Sequence, residues 1–398
     1  MKNKARFVFL ESNTTGTGEL LILKALTKNL FPIFITNNPK KYSFLPLEEV
    51  ELILLDTSNK EIILDYLLKV ENIIGIYSAS DYYIETAAWL ANKLELPGAD
   101  PEVIKRCRNK YNLYQLLISV GIDCPQTKII FDIEEAKNNF EFASFPVIVK
   151  PVNGSGSVGV KLCENETDSL SQVNFLLKNS YAGVLIQEYI DGLEFSVEVC
   201  SFNNQHHIIG ITKKYLGLYP YFIEIGHDFP AILLEKEEKK IKQVIMNLLS
   251  LLRCNFGFFH IELRIKNDKV FIIEINPRLA GGMIPALVRN ATEIDLLDTL
   301  LDLYTNRFAD IQISHKKFSS IRYLVPDQTG KIKTLNFTSQ ILVDQVKLIK
   351  NEGDFFIPHG DFRDRIAYVI VSDLDAISCS KKANEALKDF NVVIGTES

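Results

Sequence analysis

Residues 258–282 read FFHIELRIKNDKVFIIEINPRLAGG, and this stretch decides the fold. Alternation puts His260, Glu262 and Arg264 on one face of a strand and the apolar residues on the other. Glu274 and Asn276 likewise share a face of a second apolar strand, and Asn267-Asp268 between them marks a hairpin turn. Pairing the two strands brings Glu262 close to Glu274 and Asn276. Two carboxylates and an amide oxygen on an otherwise apolar sheet are costly to bury unless neutralised. A hard divalent cation shared with phosphate oxygens, Mg²⁺, resolves that cost. The competing reading is a surface salt-bridge patch built on Arg264. Arg278 and Gly281-Gly282 follow, a fixed cation and a flexible backbone beside the carboxylates.

Upstream, VIVKPVNGSGSVGV (147–160) runs a buried-type strand into Lys150 and then a loop with Gly154, Ser155, Gly156, Ser157 and Gly159. Glycines let successive backbone N–H groups approach phosphate oxygens, and serine hydroxyls add donors. The loop joins strand to strand, so it is neither a Walker A loop nor a dinucleotide-binding turn. A glycine hairpin alone is as well explained by a structural turn; Lys150 at the strand end favours phosphates. In Gln187-Glu188-Tyr189-Ile190-Asp191-Gly192-Leu193-Glu194, backbone groups suit an adenine edge and a carboxylate suits ribose hydroxyls, although the segment by itself reads as an exposed acidic hairpin.

The first hundred residues alternate strand candidates (Arg6–Leu10, Pro32–Thr36, Glu51–Leu55, Asn72–Tyr77) with helical patterns near 19–30, 60–70 and 81–94. This rhythm predicts a parallel sheet with helices on both faces. Gly16-Thr17-Gly18 after the first strand suits either a structural turn or an anion-binding helix start. Asp100 and Pro101 then open what reads as one amphipathic helix to Val120, stopped by Gly121. An α+β region of antiparallel strands follows. From about Asn306 come strand candidates 319–324, 341–349 and 366–371 and a helix at 381–388.

The length of 398 residues suggests two or three domains at about 150 residues each. With 47% apolar and 24% charged residues, disorder, collagen and coiled coil are excluded as the main architecture. A net charge of −6 without a basic run argues against nucleic acid or an anionic membrane as partner. Six scattered cysteines fit neither a zinc site nor a disulfide framework. The short apolar run after the basic start reads as a strand, not a signal segment, and no run approaches the roughly 18 apolar residues of a span, so the expected location is cytoplasmic.

Lys110, Lys150, GSGSVG, QEYIDGLE and HIE…EINPR, in this order over roughly residues 98–300, resemble the ATP-grasp superfamily. The resemblance implies a mixed α/β and α+β architecture. Its parts are a Rossmann-like N-terminal domain (1–97), a bipartite ATP-grasp core (98–305, with a mobile lid subdomain at about 123–190) and a small C-terminal α/β domain (306–398). It also implies that Lys110 and Lys150 contact phosphates, residues 154–159 cover them, Gln187 to Ile190 form an adenine hinge, and Glu194 binds ribose. Glu262, Glu274 and Asn276 would hold Mg²⁺, as two ions, with Mn²⁺ able to substitute; a homodimer is compatible.

Within the superfamily, Glu224, His227, Pro230 and Ala231 match an E-x-x-H…P-A stretch of bacterial L-amino acid ligases. That places Glu224 and His227 in an amino acid pocket and gives Arg278 the transferred phosphoryl group and a substrate carboxylate; Lys214 is a further pocket candidate. A carboxylate is a poor electrophile, so ATP would convert it to an acyl phosphate before an amine attacks. A histidine with a pKa near neutrality at position 227 could take a proton or orient a carboxylate. The expected activity is an ATP-dependent ligase joining a carboxylate to an amine or amino acid. Alternatives are a biotin-carboxylase-like or purine-pathway enzyme, or a non-catalytic ATP-binding protein of synapsin type.

Overall fold

Arg6 to Leu10 place alternate large side chains on opposite faces of a strand, and both faces are buried. The computed structural model describes residues 4–14, 16–138, 144–179, 181–308 and 310–395. Its first part runs β1 (Arg6–Leu10), α1 (Thr17–Thr27), β2 (Phe31–Thr36), β3 (Glu51–Leu54), α2 (Lys60–Leu67), β4 (Ile73–Tyr77) and α3 (Ile84–Lys93). The strands form a parallel sheet in the order β3-β2-β1-β4. Val8, Leu10, Ile33 and Ile35 pack on α2 and α3, whereas Phe7, Phe9 and Phe34 pack on α1. Helices therefore cover both faces, as the alternating pattern predicts.

The single helix expected from Pro101 to Val120 is two helices, α4 (Pro101–Arg108) and α5 (Lys110–Ser119). Asn109 between them is extended (φ −82°, ψ 95°), and its side chain accepts from the Asn112 amide at 3.0 Å. The apolar period runs unbroken across this point, so periodicity cannot see the break; a local side-chain cap makes it. Lys110 thereby becomes the first residue of α5 and is buried.

A four-stranded antiparallel sheet follows, built from β5 (Thr127–Ile130), α6 (Ile133–Lys137), β6 (Val147–Pro151), β7 (Lys161–Cys163), α7 (Glu166–Lys178) and β8 (Val184–Glu188), in the order β5-β8-β6-β7. Val147, Val149, Val184 and Ile186 bury one face under Ala136 of α6 and Val173 and Leu176 of α7.

The central sheet is assembled from β9 (Leu193–Phe202), β10 (Gln205–Leu216), β11 (Glu224–Phe229), α8 (Glu235–Leu252), β12 (Gly257–Lys266), β13 (Lys269–Asn276), α9 (Ile284–Thr292), α10 (Leu296–Tyr304) and β14 (Phe318–Leu324). The last stretch adds β15 (Gly330–Phe337), β16 (Gln345–Leu348), β17 (Phe355–Phe356), β18 (Ala367–Asp373), α11 (Ala376–Leu387) and β19 (Phe390–Gly395). Eight strands pair in the order β13-β12-β9-β10-β11-β14-β18-β16, so three strands beyond residue 306 extend the same sheet; β17-β15-β19 form a small sheet beside it. Two expectations change here. The strand expected over 341–349 shortens to β16, because Ile341 is held in a turn by the Ser339 hydroxyl. The last helix starts earlier, at Ala376, where Asp375 caps it by accepting from the Ser378 amide.

Ile261, Leu263, Ile272 and Ile275 pack on Ile241, Ile245, Leu248 and Leu249 of α8. The opposite face of the β12–β13 hairpin carries the polar residues. Asn267 and Asp268, at φ 50° and 58°, close the hairpin with a two-residue left-handed turn. No helix among the described residues is long and apolar enough to cross a membrane. All six cysteines are free thiols.

Candidate active site

The polar face of β12 and β13 meets β6, β8, the glycine loop and the start of β11 around a cavity of about 280 Å³. The β12–β13 register sets Glu262 opposite Glu274 and His260 opposite Asn276. Lys110, Lys150, residues 154–157, Gln187 to Ile190, Glu194, Glu224 and Arg278 all line the same space, together with Asp81, Phe362 and Arg365. Candidates from Lys110 to Arg278, 168 positions apart, thus face one another, whereas Gly159, Lys214 and His227 do not line this space.

Lys150 leaves the buried strand β6 and donates to the Tyr114 hydroxyl at 3.0 Å; that hydroxyl donates to the Ile273 carbonyl at 2.5 Å. Burial lowers the Lys150 pKa to about 8, against the opposing pull of Glu274, Glu262 and Glu194. Phosphate binding favours the ammonium form. Affinity for a non-hydrolysable ATP analogue should therefore be flat below about pH 8 and fall above it, by up to roughly tenfold per pH unit. Calorimetric titration across that range measures this; an affinity that stays constant would remove Lys150 from the phosphates.

Lys110 reaches Glu274 Oε1 at 3.0 Å and the Gly154 carbonyl at 2.8 Å, so the break in the α4–α5 region ties the glycine loop to β13. Gly156, Ser157 and Gly159 hold the loop in left-handed conformations (φ 67°, 61° and 75°). A Cβ on Gly156 would lie 2.5 Å from the Phe362 ring, so only glycine lets the loop seat there. In the expected hinge, the Gln187 side chain is buried and donates to Thr127 Oγ1 at 2.8 Å, and the Ile190 carbonyl accepts from Arg264 at 2.9 Å.

Glu194 is bound by Arg264 at 2.9 Å and Lys214 at 3.2 Å. Arg264 is 4% exposed, which excludes the surface salt-bridge patch. Lys214 is the centre of the neighbouring charge pattern. Glu194, Glu224 and Glu262 have oxygens within 4.8 Å of one another, a grouping that resembles a metal site. The Lys214 ammonium lies 3.2, 2.6 and 3.0 Å from them, and Arg264, Arg365 and His260 pair with Glu194, Glu224 and Glu262 in turn, so the group already has its cationic partners. Burial opposes the charge on Lys214, yet the three carboxylates raise its pKa well above the ordinary lysine value. Glu262 is held well below the carboxylate range by Lys214 and His260 despite burial. His260 itself, buried between Glu198 (3.0 Å) and Glu262 (3.2 Å), is lifted to about 9 against its desolvation. For a divalent cation, the paired positions Glu262, Glu274 and Asn276 supply hard oxygen donors, and this donor set fits Mg²⁺.

His227 differs from its sequence expectation. It is 0% exposed, and desolvation lowers its pKa to about 3, so the ring is neutral at ordinary pH and is not a base poised near 7. Neither ring nitrogen has a hydrogen-bond partner among the described residues; Glu224 Oε2 lies 3.5 Å away. Arg278 also has an unforeseen partner: it forks onto Asp81, Nε and Nη2 donating at 2.6 and 2.7 Å, and Nη1 donates to the Leu279 carbonyl. Sequence reading missed Asp81, Phe362 and Arg365, and gave Lys214 too little weight. Alternation along β10 puts Lys214 on the carboxylate-bearing face, a usable signal; Asp81, Phe362 and Arg365, isolated outside the strands and long helices, offered none.

Residues 143–286 match the family model described as an ATP-grasp domain. Over 375 residues the chain is 28% identical to the uncharacterized protein y4rH of Sinorhizobium fredii, covering 91% of this chain and 78% of the relative. An L-amino acid ligase from Bacillus licheniformis has a similar structure, with a TM-score of 0.85 at 20% identity and coverage of 100% of both chains. The biotin carboxylase domain of 2-oxoglutarate carboxylase from Hydrogenobacter thermophilus, solved with MgADP and bicarbonate, gives 0.73 at 16% identity over 98% of this chain and 90% of that one.

Proposed function

We propose that this chain, which has the ATP-grasp fold and carries an ATP-grasp domain over residues 143–286, is an ATP-dependent carboxylate–amine ligase. It would join an amino acid or small carboxylate to an amine or amino acid. One observation carries the reading: a single cavity holds a cation-lined glycine loop and, at another wall, Glu224 among cationic partners. Triphosphate chemistry and recognition of an ammonium group thus share one space.

In this reading Lys110, Lys150 and the 154–157 loop hold the phosphates, and Arg278 holds the phosphoryl group during transfer. Glu262, Glu274 and Asn276 would hold Mg²⁺, which supplies charge neutralisation for the phosphate oxygens. The substrate carboxylate attacks the γ-phosphorus, forming the acyl phosphate and releasing ADP. The amine attacks the acyl carbon, and phosphate and a proton leave. Glu224 holds an incoming ammonium, and the neutral His227 orients a substrate rather than removing the proton. The same reading divides the chain near residues 97 and 305 and makes residues 154–159 a lid that keeps water from the acyl phosphate.

Phosphate release should require ATP, a carboxylate and an amine together, with an amide detected by mass spectrometry. Release with bicarbonate alone would replace this reading by a carboxylase one. His227→Ala should lower kcat/KM for the amino acid by about tenfold or more while the ATP-analogue affinity changes less than about threefold. A defect confined to nucleotide binding would take His227 out of the substrate pocket.

A further inference from the structure

The segment His359–Arg365 touches both functional ends of the cavity. At one end the Phe362 ring occupies the space left by the missing side chain of Gly156, and the Phe362 amide donates to the Gly156 carbonyl at 3.4 Å. At the other, Arg365 donates from Nε to the Glu224 carbonyl at 2.9 Å and from Nη2 to Glu224 Oε2 at 2.7 Å. Between them the backbone is braced from inside. Asp364, 1% exposed, accepts from the amides of His359 and Gly360 at 2.8 and 2.7 Å, and Asp361 accepts from the Arg363 amide at 3.0 Å. A Cβ on Gly360 would stand 2.6 Å from the Tyr221 ring, which fixes the start of the turn against the segment leading to Glu224.

We propose that Phe362 and Arg365 are positioning residues that make seating of the glycine loop over ATP depend on an amino acid at Glu224. This rests on the ligase reading for the identity of the second ligand. The Arg365–Glu224 ion pair has the charge pattern of a zwitterion. An α-amino acid inserted there exchanges one pair for two, its ammonium on Glu224 and its carboxylate on Arg365. His227 and Tyr323 back this wall with buried polar atoms that lack partners among the described residues, and such atoms are stabilised when a polar ligand supplies them. Because the intervening turn is braced, movement of Arg365 is carried three residues back to Phe362, and from there to Gly156. Linkage makes the effect reciprocal: the amino acid tightens ATP binding by the factor by which ATP tightens the amino acid.

The test is calorimetric titration of the full chain with a Mg²⁺-loaded non-hydrolysable ATP analogue, alone and with each standard L-amino acid in turn. In the wild type at least one amino acid should tighten the analogue by about five- to twentyfold. Phe362→Ala should bring that factor close to one, and Phe362→Leu, which keeps the apolar contact, should restore it. Arg365→Gln should remove it from the other end. Binding of the analogue alone by each variant shows that the chain is folded. Coupling unchanged in Phe362→Ala, or no coupling with any amino acid in the wild type, would overturn the proposal. Coupled binding without amide formation in any substrate pair would overturn the ligase reading and leave the coupling standing.

Discussion

Glu274→Ala should lower Mg²⁺-dependent ATP turnover by about a thousandfold or more, the scale on which removal of a charge-stabilising group acts in a transition state. Glu274 acts in two ways. Glu274 stands opposite Glu262 across the hairpin and provides a hard oxygen where a divalent cation would be shared with phosphates. It also binds Lys110 at 3.0 Å, so its removal leaves that ammonium with the Gly154 carbonyl as its remaining partner among the described residues. Glu274→Gln retains an oxygen and the side-chain shape but not the charge, and should fall between the wild type and the alanine variant. Turnover measured against Mg²⁺ concentration separates the two: a lost metal ligand shows as a raised Mg²⁺ requirement, a displaced lysine as a raised KM for ATP. Wild-type turnover in Glu274→Ala would remove the metal assignment.

Arg278→Lys should be nearly as damaging as Arg278→Ala, with kcat down by about a hundred- to a thousandfold and KM for ATP little changed. Asp81, Asp81 again and Leu279 take three of the five guanidinium N–H donors, and two are left for a phosphoryl oxygen. A lysine ammonium cannot keep both Asp81 oxygens in a planar fork and also reach a third group. Asp81→Asn should therefore cost less than loss of Arg278 but more than a neutral surface change, because the fork loosens without losing its cation. If Arg278→Lys keeps kcat within about threefold, the residue is a tie between the β4–α3 loop and the cavity and not a phosphoryl ligand.

The parallel sheet of β1 to β4, the β12–β13 hairpin and the glycine loop after β6 were legible because each rests on a local signal, whereas the strand order was not. Period-two alternation, Asn267-Asp268 at a turn and glycines at positive φ act within a few residues of themselves. The break at Asn109 shows the limit of such signals. Its cap spans three residues, but an apolar period that passes through it hides the boundary.

What the chain determines by itself is which residues could carry the chemistry: two carboxylates and an amide on one hairpin face, a lysine before a glycine loop, an arginine after a strand. Tertiary structure alone decides their charge state and partners. Arg278 meets Asp81 from 197 positions away and Arg365 meets Glu224 from 141, pairings that no spacing rule can express. A free histidine titrates near 6.5, and complete burial lowers His227 to about 3 and so removes it as a proton acceptor near neutral pH. Lys214, set amid three carboxylates, turns an apparent metal cluster into a lysine site. Alternation and turn formation are short-range properties of the backbone, whereas desolvation and ion pairing depend on everything that folds around a group.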